Sequence, residues 1–278
     1  MEALKVLDAE DVTLYSLSKG QSKLTAGKVK ITLEGFEAKD FPPVPKVVGK
    51  SIQIEELASA LGKVSFSAST DDCRPVLTGI CLIPGKGKVE LAAADGFQLA
   101  VTTAKSKGVL PKQVILPPEA VRLIKKLMPG TLRVVSGDGG NISFEGEGLV
   151  LVAKPIGGTF PRYQQLIPKL GRKLTVDSEE LRKALKVLAA IKPDSGIVRF
   201  ESNGSRLKLS ARNEEFGTSE ARIPSKGKFK SAFDLKLLNR MLTRVDGEIT
   251  MDTKSVSSPM SMRRKNWTCV TMPMFVQW

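Results

Sequence analysis

Apolar and polar residues alternate in some stretches of the chain and recur every three or four residues in others. Ser51-Ile52-Gln53-Ile54, Lys173-Leu174-Thr175-Val176 and Ile197-Val198-Arg199-Phe200 alternate, which predicts half-buried strands. Leu181, Ala184, Leu185 and Leu188 fall on one stripe among charged residues, which predicts a helix over 178–190. Residues 118–128 read as another helix. Pro117-Pro118 sets its start and Pro129-Gly130 its stop, and Val121, Leu123, Ile124, Leu127 and Met128 are its packing face. A third helix is expected over 234–244, with Leu237, Leu238, Met241 and Leu242 apolar.

These elements repeat. Glu55-Glu56-Leu57-Ala58-Ser59-Ala60-Leu61 recurs as Glu179-Glu180-Leu181-Arg182-Lys183-Ala184-Leu185, an EELxxAL pattern 124 residues later (55 to 179). Each copy follows an alternating stretch and leads to an expected strand, at Val64-Ser65-Phe66 and at Ile197–Phe200. The helix at 118–128 matches that at 234–244 in type and place. Each unit reads as helix, strands, helix, strands. Gly85-Lys86-Gly87, Gly137-Asp138-Gly139-Gly140, Ser202-Asn203-Gly204-Ser205 and Asp246-Gly247 carry the chemistry of hairpin turns. Connections this short favour antiparallel sheets, so the fold class is α+β. Residues 1–47 look like half a unit: one possible helical turn, then strands near Val12–Tyr15, Lys23–Thr25 and Val29–Leu33, then the proline-stiffened Phe41-Pro42-Pro43-Val44-Pro45. The expected domains are 1–47, 48–170 and 171–278.

Composition narrows the chemistry. The chain has 278 residues and no histidine, which removes histidine-dependent nucleophiles, general bases and most zinc sites. Cys73, Cys81 and Cys269 form no C-x-x-C pair, so neither a disulfide framework nor a cysteine zinc site is expected. Adjacent carboxylates such as Asp71-Asp72 and Glu214-Glu215 lack the spaced partners a metal-dependent nuclease needs. No catalytic residue, metal or cofactor is therefore expected. No apolar run approaches the roughly 20 residues that cross a bilayer, and the N-terminus has no signal-peptide core, which points to the cytoplasm.

The net charge of +14 points to a polyanionic partner, nucleic acid above all, although a basic surface also serves solubility. The charge is uneven. Residues 1–50 carry 8 basic against 7 acidic side chains, 51–170 carry 14 against 10, and 171–278 carry 21 against 12. Arg122, Lys125 and Lys126 project from the first basic helix, Arg182, Lys183 and Lys186 from the second, and Lys236, Arg240 and Arg244 from the third. One such face alone reads as a solvated helix surface. Three in equivalent positions suggest a common surface for phosphates, read without sequence preference. Aromatics make up only 5%, which disfavours a stacking platform and favours duplex DNA.

Several strings then become specific. Arg74-Pro75-Val76-Leu77-Thr78-Gly79-Ile80, Ala93-Ala94-Asp95-Gly96-Phe97-Gln98-Leu99-Ala100-Val101, and Phe160-Pro161-Arg162-Tyr163 through Ile167-Pro168-Lys169 resemble stretches of bacterial DNA polymerase III beta subunits. So do Asp40-Phe41-Pro42-Pro43, Ser255-Val256-Ser257-Ser258 and Val270-Thr271-Met272-Pro273-Met274. Their order holds over nearly the whole chain. The resemblance implies a DNA-clamp fold in which repeated units form a homo-oligomeric ring, sheets outside and helices lining the hole. It implies a sliding clamp that catalyses nothing itself. It also implies an apolar pocket where polymerase, clamp-loader and repair proteins dock short linear peptides. Carried over position by position, that pocket comprises Arg74, Val76, Leu77, Gly96, Phe97, Gln98, Leu99 and Pro168 from one domain. Leu237, Val256, Ser258, Val270, Met272, Pro273 and Met274 come from the next.

A cleft lined by Leu, Val, Met and Pro suits an apolar peptide anchor, although ordinary core is the plainer reading of such residues. The chain departs from the family pattern in three places. It starts inside the first domain, Gln98 stands where a basic residue is usual, and Phe275-Val276-Gln277-Trp278 extends the tail toward the pocket. A clamp-derived binding module that does not encircle DNA is therefore the alternative to a ring.

Overall fold

A computed structural model of the chain describes residues 11–17, 20–137, 139–168 and 171–277. The helical turn expected at the N-terminus, Asp138, Lys169 and Trp278 lie outside them. Two compact units divide at Lys46/Val47. The first is a meander of β1 (Thr13–Ser16), β2 (Gln21–Ala26) and β3 (Val29–Glu34), paired antiparallel with Leu14 opposite Leu24 and Leu24 opposite Ile31. Among the described residues Leu24 and Ala26 are its buried side chains.

The second unit holds both repeats. The first runs through β4 (Gly49–Ile54), α1 (Leu57–Val64), α2 (Pro75–Thr78), β5 (Ile80–Gly85), β6 (Lys88–Ala94), β7 (Gln98–Lys107), β8 (Val114–Leu116), α3 (Pro118–Leu127), β9 (Leu132–Gly137), β10 (Ile142–Gly146) and β11 (Leu149–Ala153). The second repeat has β12 (Arg172–Asp177), α4 (Ser178–Ala189), β13 (Ile197–Asn213), β14 (Gly217–Asp234), α5 (Leu235–Leu242), β15 (Glu248–Thr253), β16 (Met260–Arg264) and β17 (Trp267–Thr271). All pairings are antiparallel. The main strand order is β11-β10-β9-β4-β7-β17-β16-β15-β12-β14-β13, with β6, β5 and β8 branching from β7.

The two EELxxAL copies start their helices differently. Asp177 accepts hydrogen bonds from the amides of Glu179 (2.9 Å) and Glu180 (3.0 Å), so α4 begins at Ser178. Gln53 stands at the corresponding place in the first copy and supplies no such cap. There α1 begins three residues later in register, after Glu56 has taken a left-handed conformation at φ 50°.

One register joins the repeats. Thr102, Val101, Ala100, Leu99 and Gln98 of β7 pair with Trp267, Thr268, Cys269, Val270 and Thr271 of β17. Trp267 also donates its indole N–H to the Lys63 carbonyl at the end of α1 (2.9 Å). Alternation along β7 then sends side chains to two cores. Ala100 and Ala104 face the helix side, where Leu57, Leu61 and Ile124 share one cluster with Leu181, Leu185, Leu238 and Met262. Leu99 and Val101 face the other side, in a smaller cluster with Leu77, Ile115, Phe160, Tyr163 and Val270.

Four local expectations are corrected. Val64-Ser65-Phe66 is the end of α1 followed by a 3-10 turn (Ser65–Ser67), because the helix stripe continues to buried Val64. Ser202-Asn203-Gly204-Ser205 is no hairpin turn. It lies inside β13, where the register with β14 slips between Gly204 and Arg206. Asp246-Gly247 links α5 to β15 rather than two strands. Leu127 remains 46% exposed, because Met128, which leaves the helical conformation, takes the buried place at the end of α3.

Candidate partner-binding and nucleic-acid interfaces

Leu77, Leu99 and Val270 share the smaller core where β7 meets β17, and Gln98 turns toward α5. Asp95 makes the entry turn. Its Oδ1 accepts from the amides of Phe97 (2.8 Å) and Gln98 (2.7 Å), and Gly96 adopts φ 95°, which glycine takes without strain. The turn leaves the Phe97 ring 68% exposed while Gln98 and Leu99 are buried. Arg74 lies over this turn, its Nη1 3.4 Å from where a Cβ on Gly96 would stand. Val76 and Leu77 come from the one-turn α2, which Pro75 starts, and join Leu99 and Val270 in the smaller core.

Backbone and amide bonds bring in the second repeat. Gln98 Nε2 donates to the Leu237 carbonyl on α5 (2.9 Å), and the Met272 amide donates to the Phe97 carbonyl (2.9 Å). Two residues further on, the Met274 amide donates to the Ala232 carbonyl on β14 (2.8 Å). Met272 is 43% exposed beside Phe97, whereas Pro273 and Met274 are half-buried. The tail then runs across the sheet, with Val276 beside Arg199 and Lys208 of β13, so it leaves the pocket rather than filling it.

The remaining predicted members are held by other partners. Pro168 is buried and its carbonyl accepts from the Arg263 guanidinium. The Val256 carbonyl accepts from Ser231 Oγ (3.2 Å), and the Ser258 carbonyl from Thr253 Oγ1 (3.0 Å), which fixes the β15–β16 turn.

Sequence reasoning missed two acids at this place. Asp71 folds its own loop by accepting from the Cys73 amide (2.9 Å), a bond that holds the Asp71 carboxyl below its ordinary pKa. Asp95 lies 3.9 Å from Arg240. A concavity of about 290 Å³ is lined by Asp71, Arg74, Asp95, Phe97 and Arg240. Arg240, expected on a free basic helix face, lines this concavity and pairs with Asp95 instead. The Asp95-Gly96 turn chemistry was the available signal for Asp95.

The helix side gathers basic side chains. Arg122, Lys125 and Lys126 are exposed on α3 and line a shallow concavity of about 450 Å³ floored by Ile80 and Val121. Lys125 Nζ donates to Ser65 Oγ (2.9 Å). Partial burial, and then the neighbouring charge of Arg244, lower the Lys125 pKa. Arg244, from the other repeat, sits over the Phe66 ring at 5.9 Å. The positive field therefore spans both repeats. Lys183 and Lys186 are exposed on α4, with Lys183 3.4 Å from Glu179, and Lys236 is exposed on α5.

Arg182 differs from these. Its Nη1 donates to the carbonyls of Leu242 (3.1 Å) and Val245 (3.2 Å), and its Nη2 pairs with Asp246 (3.1 Å). It closes the C-terminal end of α5 instead of presenting a free charge. Among the described residues no group of three or more His, Cys, Asp or Glu could hold a metal, and no helix is long and apolar enough to cross a membrane.

Helix-pair-on-sheet repeats joined through a shared antiparallel ladder, with an apolar cleft beside the joint, define the DNA-clamp architecture. Solved structures share it. The DnaN sliding clamp of Bartonella birtlesii bound to griselimycin superimposes with a TM-score of 0.89 at 23% identity, covering 99% of this chain and 79% of that one. The DNA polymerase sliding clamp of Bacillus subtilis gives 0.89 at 19% identity, covering 99% and 78%. Residues 51–162 match the family model "DNA polymerase III beta subunit, central domain". The beta sliding clamp of Synechococcus elongatus is 26% identical over 267 residues, 90% of this chain and 71% of that protein. That of Staphylococcus aureus is 22% identical over 285 residues, 98% and 76%. Over residues 51–162 the chain is thus similar to the central domain of DNA polymerase III beta subunits, and over most of its length to beta sliding clamps.

Proposed function

We propose that this protein is a sliding clamp and processivity factor of DNA replication, a cytoplasmic, non-catalytic member of a polymerase holoenzyme. On this reading the domains are 1–47, 48–170 and 171–278, and copies assemble into a ring around duplex DNA. The observation that carries it is the division of labour across the sheet: basic helices on one side, and on the other an apolar cleft at the joint of two repeats.

Lys125, Lys126, Arg122, Lys183, Lys186, Lys236 and Arg244 hold the duplex through its phosphates, with no fork aimed at base edges. Polymerase and clamp-loader subunits dock short linear peptides at the cleft. Leu99, Val270, Val76 and Leu77 form its floor, Met272 is an adaptable wall, and Phe97 and Arg74 form the rim.

Two measurements test this reading. A Gln-Leu-x-Leu-Phe-type peptide should bind the full chain, and Met272→Ala should weaken it several-fold. A peptide that fails to bind removes the recruitment reading. The protein loaded on circular DNA should stay bound, and should be lost after linearisation. Equal retention on both forms favours the second reading, a surface-binding module that does not encircle DNA.

A further inference from the structure

The cations of the second repeat are not confined to its helices. In β13 the core-facing positions are even before the slip (Val198, Phe200) and odd after it (Leu207, Leu209, Ala211). The slip therefore turns Arg206, Lys208 and Arg212 to the same side, away from the helices, as Arg199 before it. In β14 the core-facing positions include Ile223, Phe229 and Phe233, so Arg222 and Lys230 join them there. Lys228, opposite Asn203, lies on this side as well, so the cations here outnumber the two carboxylates, Glu201 and Glu220.

Lys208 and Arg222 are direct cross-strand partners, an arrangement that destabilises a sheet unless an anion intervenes. Glu220 offsets them in part, 2.7 Å from Lys208 Nζ and 3.9 Å from Arg222, and the Lys208 bond holds its carboxyl below the ordinary range.

Two concavities open on this side. One, of about 460 Å³, is lined by Arg206, Lys208, Arg222 and Lys230. The other, of about 300 Å³, shares Lys208 and adds Arg199, Arg212 and Val276 from the tail. Next to Val276 in the chain, Phe275 is 91% exposed. Alternate positions along a strand lie about 6.8 Å apart, so Arg206, Lys208 and Arg212 form a row of charges rather than a point site. A row of cations, with an exposed aromatic one residue from the Val276 that lines it, is the combination that holds single strands, phosphates on the charges and a base on the ring. An acidic polypeptide would also satisfy the cations, but a single strand brings a phosphate row and a flat base with every nucleotide.

We propose that the side of the β13–β14 hairpin facing away from the helices, together with Phe275, is a second nucleic-acid surface that binds single strands. It is separate from the basic helix faces.

Fluorescence anisotropy of the full chain with labelled oligo-dT and with a labelled mixed-sequence duplex tests this. Phe275→Ala, at a fully exposed position that leaves folding intact, should weaken oligo-dT binding about tenfold. The Arg206→Gln/Arg222→Gln pair should lower the salt slope for oligo-dT by about 1.4, at ~0.7 per lost contact on a single strand. Duplex affinity should be unchanged in both.

The proposal is overturned if both variants bind oligo-dT like the parent chain. It is equally overturned if Lys126→Gln/Lys186→Gln abolishes oligo-dT binding, since the strand would then sit on the helices. Competition by poly-glutamate as strong as by oligo-dT, with Phe275→Ala silent, would assign the surface to an acidic protein instead.

Discussion

Arg182→Ala separates the structural reading of the basic helices from a simple count of charges. Its guanidinium closes the end of α5 through two carbonyl bonds, at 3.1 and 3.2 Å, while the side chain is 29% exposed. Hydrogen bonds to a charged group contribute about 1.5–3 kcal/mol when one partner is removed. The ion pair with Asp246 adds little, because that carboxylate is 88% exposed. Water reaches part of the site and replaces one of the two carbonyl bonds, which leaves a net loss of about 2 kcal/mol. In a unit of this size that corresponds to a fall in midpoint of about 4–8 °C. Duplex affinity should behave in the opposite way. Arg182→Ala should leave the dependence of log K on log salt unchanged, whereas Lys126→Gln or Lys186→Gln should each reduce its slope by about 0.9 and leave the melting curve in place. Thermal unfolding and a salt titration of duplex binding measure the two quantities on one set of proteins. A variant at 182 that melts like the parent chain and loses one unit of salt slope would refute this placement of the guanidinium.

Asp177→Ala should cost about 1 kcal/mol in urea unfolding, since two amides lose their cap, while Gln53→Ala at the matching place of the first repeat should be within experimental error. Gly227→Ala should destabilise severely, by more than about 3 kcal/mol: its φ is 106° and an added Cβ would stand 2.0 Å from the Lys173 carbonyl oxygen, so soluble yield and midpoint should both collapse. Iodoacetamide at pH 8 should label only Cys73 in the native protein and all three cysteines in urea. Burial pushes the Cys81 thiol up to about 12 and raises Cys269 as well, so both stay protonated and shielded. Mass spectrometry showing prompt labelling of Cys81 or Cys269 in the folded chain would contradict their burial.

Much of the fold is legible in the sequence because each repeat carries its own local signals. The EELxxAL stripe, Pro117-Pro118 and the alternating runs at 51–54 and 173–176 act within a few residues, and each marks an element found in the structure. The failures share a cause as well. Ser202-Asn203-Gly204-Ser205 has the composition of a turn, yet two long strands with apolar residues on one side keep the chain extended, and the turn chemistry becomes a register slip. Met128 displaces Leu127 only because the sheet beneath offers one place. At the candidate sites, composition could rank Arg182 and Arg240 with the other cations. Only tertiary structure brings the Leu242 carbonyl to Arg182 and Asp95 to Arg240. The pairing of Leu99 with Val270 joins residues 171 apart (99 to 270), beyond the reach of any local pattern.

That pairing bears on how the molecule can be taken apart. Separating the repeats by proteolysis or by expressing one alone would strip β7 and β17 of each other. It would bare two hydrogen-bonding strand edges and divide a core that Leu57 and Met262 share. Such edges recruit other chains. A single repeat made in isolation is therefore a candidate for self-association and aggregation, and half of this unit would be a poor reagent for dissecting what the whole does.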